Sequence, residues 1–266
     1  MKKLLIVVFL PLYSLSAAWV RPASEFLVAV DTSFISAKKF YDSSGNVVDS
    51  RNFSEISANL YAEAGVTSFY TTGVYFPALR NLAFKADDTN AAANFTGVGD
   101  VTLLQKLQFF QSGGLFLNFE LLNGIPTGND TQPDLLLTGD GEFNFLPRLA
   151  LAYVMGNWFF TLDAGYNFRT REFSDEIHVN AEVGVSLLQR QLFLIVGFNQ
   201  QSSLKNRSRV LVTPLISNET SFSAYSLRVA WQFAASMGIN ASMKSVFAAE
   251  NIIAAPAFSV GYFVTF

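Results

Sequence analysis

Apolar and polar residues alternate along most of this chain. In residues 177–187 the odd positions Ile177, Val179, Ala181, Val183, Val185 and Leu187 are apolar, and the even ones are His178, Asn180, Glu182, Gly184 and Ser186. A helix would scatter those apolar residues around its axis, whereas a strand, with its period of two, puts them on one face. Residues 160–169 repeat the split: Phe160, Leu162, Ala164, Tyr166 and Phe168 against Thr161, Asp163, Gly165, Asn167 and Arg169. Read throughout in this way, the chain predicts about twelve strands, at 25–41, 53–64, 68–79, 99–110, 115–126, 141–154, 158–170, 176–188, 192–203, 221–233, 237–247 and 255–266.

The connections carry a second pattern. Those at 65–67, 111–114, 155–157, 189–191 and 234–236 are tight, while those between them, at 42–52, 80–98, 127–140, 171–175, 204–220 and 248–254, are mostly longer and polar. This alternation belongs to an all-β, antiparallel up-and-down transmembrane β-barrel, with short periplasmic turns and longer extracellular loops. An even strand number returns both termini to the periplasmic side.

Composition narrows the choice further. Hydrophobic residues make up 50% of the chain and charged residues only 15%, against about 25% charged in soluble domains. Yet the longest stretches without Asp, Glu, Lys or Arg beyond the N-terminus, 64–79 and 251–266, contain Gly, Pro and hydroxyl residues. A membrane helix needs about 20 predominantly apolar residues. A closed barrel, in which every second residue meets lipid, reconciles high apolarity with the lack of such runs. Aromatics near strand ends (Tyr75, Phe76, Tyr153, Trp158, Phe159 and Trp231) are expected in interfacial girdles.

The N-terminus reads as an address. Met1-Lys2-Lys3 is basic, 4–15 is a short apolar run, and Ser16-Ala17-Ala18 offers the small residues of a cleavage site. Residues 1–18 are therefore expected to be a cleavable signal peptide of Gram-negative type, and 19–266 a single outer-membrane domain. At the other end Phe258, Val260, Tyr262, Val264 and the terminal Phe266 share one face. That strand looks like the signal outer-membrane barrels present to their assembly machinery, the expected partner besides outer-membrane lipids.

Three fragments carry a family resemblance: Tyr61-Ala62-Glu63-Ala64-Gly65-Val66-Thr67 at a tight turn, Gly97-Val98-Gly99-Asp100 opening a strand, and Pro126-Thr127-Gly128 closing the next. With their order between 53 and 266, the chain resembles the family of outer-membrane transporters named after the MetA pathway of phenol degradation. The resemblance implies a barrel that moves small molecules, aromatic ones among the candidates. It carries over no catalytic or binding residues.

If the apolar stripe faces lipid, the other stripe lines the interior. Acids placed there are Glu55, Glu63, Asp100, Glu120, Glu142, Asp163 and Glu182; bases are Lys106, Arg148, Arg169, Arg228 and Lys244, with the lone histidine His178 on the same stripe. Ionisable groups at membrane depth need water or partners. Two readings follow: a narrow aqueous passage, or a lumen plugged by cross-strand pairs such as Lys106–Glu120 and Arg148–Asp163.

Other chemistry finds little footing. The chain has no cysteine, one histidine and a net charge of −3, which removes thiolate and multi-histidine metal sites and gives no basic patch for nucleic acid. His178 beside a serine would make an outer-membrane lipid hydrolase, but Gly184-Val185-Ser186-Leu187-Leu188 lacks the second glycine of a nucleophile elbow. Asp130, Asp134 and Asp140 on one loop offer hard oxygens for calcium without the spacing of an EF-hand. No cofactor is expected. The sequence thus favours a channel for passive passage of small solutes, followed by a closed structural or adhesive barrel acting through its external loops, and last a lipid-modifying enzyme.

Overall fold

A computed structural model describes residues 19–266; the expected signal peptide lies outside them. The strands are β1 (Phe26–Tyr41), β2 (Val47–Thr67), β3 (Tyr70–Phe84), β4 (Ala93–Gly97), β5 (Val101–Ser112), β6 (Leu115–Ile125) and β7 (Asn144–Met155). They continue as β8 (Trp158–Arg169), β9 (Glu176–Leu187), β10 (Leu192–Ser203), β11 (Ser221–Ala234), β12 (Met237–Glu250), β13 (Ile252–Ile253) and β14 (Ala257–Thr265). Each strand pairs antiparallel with its neighbours, and β1 pairs with both β14 and β2, so the sheet closes. The short β4 continues the line of β5 along β3, and β13 that of β14 along β1, which leaves twelve staves in the wall.

Closure leaves the barrel wall without a free edge, the condition for crossing a membrane with strands. The wall is inside-out relative to a soluble protein. On β7 Leu149 is 64% exposed while its neighbour Arg148 is 5% exposed, and on β8 Leu162 is 49% exposed beside Asp163 at 1%. The alternation read from sequence is thus an apolar belt outside and a polar lining within.

One rim carries the tight turns. At Gly113-Gly114 and Gly156-Asn157 only the first central residue has positive φ, +58° and +64°. This is the II′ pattern, whose twist suits antiparallel strands and which needs glycine first. Both chain ends meet on this rim, where Phe26 and Phe266 exchange backbone hydrogen bonds of 2.8 and 3.1 Å.

The opposite rim departs from expectation in two places. Residues 42–52 form no long loop: the β1–β2 ladder runs on to Tyr41↔Val47, and the Asp42 carboxylate caps the remaining turn by accepting from the Ser44 and Asn46 amides. Such an Asx turn lets the hairpin project beyond the barrel. Within 80–98, β3 continues to Phe84 and β4 folds back on it, so only 85–92 is loop. Two aromatics assigned to the girdles also turn inward instead: Phe159 is buried, and Tyr75 lines an interior cavity. Both fall on the inner stripe of their strands, and the period of two overrides their position near a strand end. Tyr153, Trp158 and Trp231 do lie on the exposed face.

Candidate functional site: the barrel interior

Before β1 the chain does not lead straight away from the wall. Trp19 packs edge-on against Phe159 of β8, with ring centroids 5.7 Å apart. β8 lies six staves from β1 in either direction, so residues 19–25 cross the barrel at its tight-turn end. Trp19 joins inward-facing Leu27, Leu104, Phe193 and Phe263 in an apolar cluster. Two residues on, Arg21 is 1% exposed; its Nε lies 2.7 Å from Glu63 Oε2, and its amide donates to Thr71. The base of the segment is pinned by backbone bonds from Ser24 N to Gly65 O and from Gly65 N to Glu25 O.

Above this layer charges pair across the staves. Lys106 Nζ lies 2.8 Å from Glu63 Oε1, and Tyr61 donates its hydroxyl to the same carboxylate. Lys106 and Glu120 stand opposite in the β5–β6 register. Arg148 bridges Glu120 at 2.6 Å and Asp163 at 3.2 Å, while Arg228 reaches Glu182 at 2.6 Å. These groups are nearly all buried. Removing one partner from such a pair leaves an uncompensated charge, at about 3–5 kcal/mol.

A third group sews the long loops together over the outer mouth. Arg169 holds Glu142 at 2.5 Å and Glu176 at 2.7 Å, and its guanidinium lies over the Phe173 ring. It also donates to the carbonyls of Ser174 and Asn218, so residues 126–143, 170–175 and 204–220 converge on one cation. Burial, with Asp140 beside it, pushes the Glu142 carboxyl up to about 9. His178 Nε2 lies 2.9 Å from Glu176 Oε2, so the hydrogen bond of this ring goes to a carboxylate rather than a serine. Glu55 pairs with Arg80 at 2.7 Å, and Arg80 donates also to Thr138 O. Asp130 pairs with Arg171, and among the described residues no group of three acidic or histidine side chains is placed to hold a metal ion.

Asp100 plays a different part. Its carboxylate accepts from the Gly128 and Asp140 amides, while Thr127 donates its hydroxyl to Gly99 O. Two of the sequence fragments, 97–100 and 126–128, therefore clasp each other and fold the 126–143 loop inward. Lys244 lines an interior cavity of about 420 Å³ shared with Asp31, Asn59, Asn240 and Arg228.

Sequence reasoning passed over Arg21 and Asp31. Asp31 sat on the inner stripe of a predicted strand and was legible there. Arg21 lies on no strand, and nothing local marks it as a residue of the interior.

A family model described as "Putative MetA-pathway of phenol degradation" matches residues 37–262. The chain belongs to this family. Among solved structures, the COG4313 outer membrane channel from Pseudomonas putida F1 is similar at a TM-score of 0.75 and 16% identity, covering 94% of this chain and 98% of that one. The NanC porin follows at 0.59 and 7% identity, with 89% and 98% coverage. The KdgM porin in complex with disordered oligogalacturonate matches at 0.54 and 5%, with 90% and 99% coverage. At these identities the likeness establishes the outer-membrane barrel fold. No curated protein matches the chain.

Proposed function

We propose that this family member is an outer-membrane channel through which small solutes, aromatic ones among the candidates, pass down their gradient. The observation that carries the reading is the inverted wall: a belt of exposed Leu, Phe and Val outside, and a polar, charged interior with space in it. An apolar belt has no use in water, and a polar lining that leaves space inside is what hydrated solutes need to pass. The similar structures, a channel and two porins, support the same reading.

On this reading solutes enter beside the Arg169 cluster, exchange hydration for the serines, asparagines and ion pairs of the lining, and leave at the tight-turn rim. Residues 19–25 must swing aside for the last step. Their hold on the barrel includes the packing of Trp19 against Phe159 and its apolar neighbours, the Arg21–Glu63 pair and a hydrogen bond to Thr71, while the bonds of Ser24 and Glu25 to Gly65 serve as the hinge. Releasing them breaks no ladder between staves. The same proposal has residues 1–18 direct export and the strand ending in Phe266 engage the assembly machinery.

Liposome swelling with solutes of graded size, alongside single-channel recording, tests the channel. Size-dependent swelling with discrete conductance steps is the expected result. A folded barrel silent in both assays, with the crossing segment deleted as well as intact, overturns it. That result would favour the second reading, which the crossing segment itself motivates: a closed barrel working through residues 85–92 and 204–220.

A further inference from the structure

The interior cavity is unevenly furnished. Most lumenal cations in the described structure face a carboxylate: Arg21 and Lys106 share Glu63, Arg148 holds Glu120 and Asp163, Arg169 holds Glu142 and Glu176, and Arg228 holds Glu182. Lys244 does not. Among the described residues it has no acidic partner, and its ammonium lies 4.8 Å from the centre of the Phe222 ring.

Its strand continues the theme. Asn240, Ser242 and Lys244 occupy alternate positions of β12 and all line the cavity. At about 3.3 Å per residue they make a row roughly 13 Å long. Asn240 is 5% exposed, and its amide Nδ2 is buried with no hydrogen-bond partner in the described structure. Ser242 is paired with Ser259 across β14, Oγ to Oγ 2.7 Å. The β12–β14 ladder ends at Lys244↔Ala257, while β12 stays paired with β11 out to Glu250.

An unmet buried donor is disfavoured unless something completes it, and so is an uncompensated cation. Here the side chains of Asn240 and Lys244 line the same cavity of about 420 Å³, within the ~300–1,000 Å³ of small-molecule sites. The carboxylate in that space, Asp31, already accepts from Asn59 at 2.8 Å. What fits is a molecule with one negative end for Lys244, an apolar or aromatic body to lie against Tyr61 and Tyr75 of the lining, and an acceptor toward Asn240. We propose that this cavity binds a small organic monocarboxylate, with Lys244 as its charge partner and Asn240 as its second donor. As far as the bound acid is also the solute carried, the proposal rests on the channel reading and names its substrate class.

The test is isothermal titration of the refolded chain in a non-ionic detergent with benzoate, hexanoate and, as the uncharged control, benzyl alcohol. Binding of either acid well above the alcohol is expected, and the tighter of the two tells whether the body is aromatic or aliphatic. Lys244→Met should weaken it about ten- to a hundredfold, the range for a hydrogen bond to a charged group, and Lys244→Arg should restore most of it. Should Lys244→Met misfold, Asn240→Asp places an opposing charge in the same cavity and should weaken the acid while sparing the alcohol. Equal binding of acid and alcohol, or Met and Asp variants that bind like wild type, overturns the proposal. Swelling by neutral arabinose keeps the two readings apart. Arabinose flux without acid binding refutes this site and leaves the channel standing, and acid binding without any flux does the reverse.

Discussion

The Asp100 carboxylate accepts a hydrogen bond from the backbone amide of Gly128 at 2.8 Å, joining two segments that the sequence presents as separate fragments. Its other oxygen accepts from the Asp140 amide at 3.2 Å, so one side chain holds both ends of a loop. Gly128 suits this contact, because a Cβ there would meet Gly139 backbone at 2.7 Å.

Asp100→Ala should therefore loosen residues 127–140 without opening the wall. Two amides lose an acceptor, at about 1–3 kcal/mol. Limited proteolysis of the folded barrel should cut this loop in the variant and not in wild type. An uncut loop would assign the restraint to Arg80 and its bond to Thr138.

At the outer mouth Glu142 keeps its proton up to about 9, against an ordinary value of 4.5. Between these values the folded state binds more protons than the unfolded chain, so stability falls as pH rises through that window. Denaturation midpoints measured from pH 5 to 9 should decline for wild type. Glu142→Gln, which mimics the neutral carboxyl, should flatten the decline. Parallel slopes for the two proteins would remove Glu142 as its source.

The lipid face can be tested at Leu149, 64% exposed near the middle of β7. On a membrane-facing wall Leu149→Arg should destabilise the barrel by about 2–4 kcal/mol, because the charge enters hydrocarbon. Urea unfolding from phospholipid vesicles reads this directly. A change within about 0.5 kcal/mol, as at an ordinary wet surface, would contradict the membrane assignment of that face.

At the inner end, Arg21→Ala combined with Trp19→Ala removes the anchors of the crossing segment while Lys106 still neutralises Glu63. Single-channel conductance should rise severalfold while the barrel stays folded, because the ladders between staves are untouched. Unaltered conductance would show that the narrowest point lies elsewhere, at the Arg148 or Arg169 clusters.

The sequence by itself determined the wall. Alternation placed Phe160, Leu162 and Phe168 outside and Asp163 and Arg169 inside, because side chains on a strand have no third direction to take. Connection lengths ordered the two rims, and the predicted strands at 115–126, 158–170 and 192–203 lie within a residue of β6, β8 and β10. Only the tertiary structure decided what fills the interior. Whether Lys106 meets Glu120 or Glu63 depends on the stagger of neighbouring staves, and that stagger is a property of the closed sheet rather than of any one strand. The path of Arg21 and Trp19 across the lumen, the meeting of Asp100 with Gly128, and the placing of Lys244 in one cavity with Asp31 but without an ion pair in the described structure depend on residues far apart in the chain. No local period encodes such contacts; closing the barrel makes them.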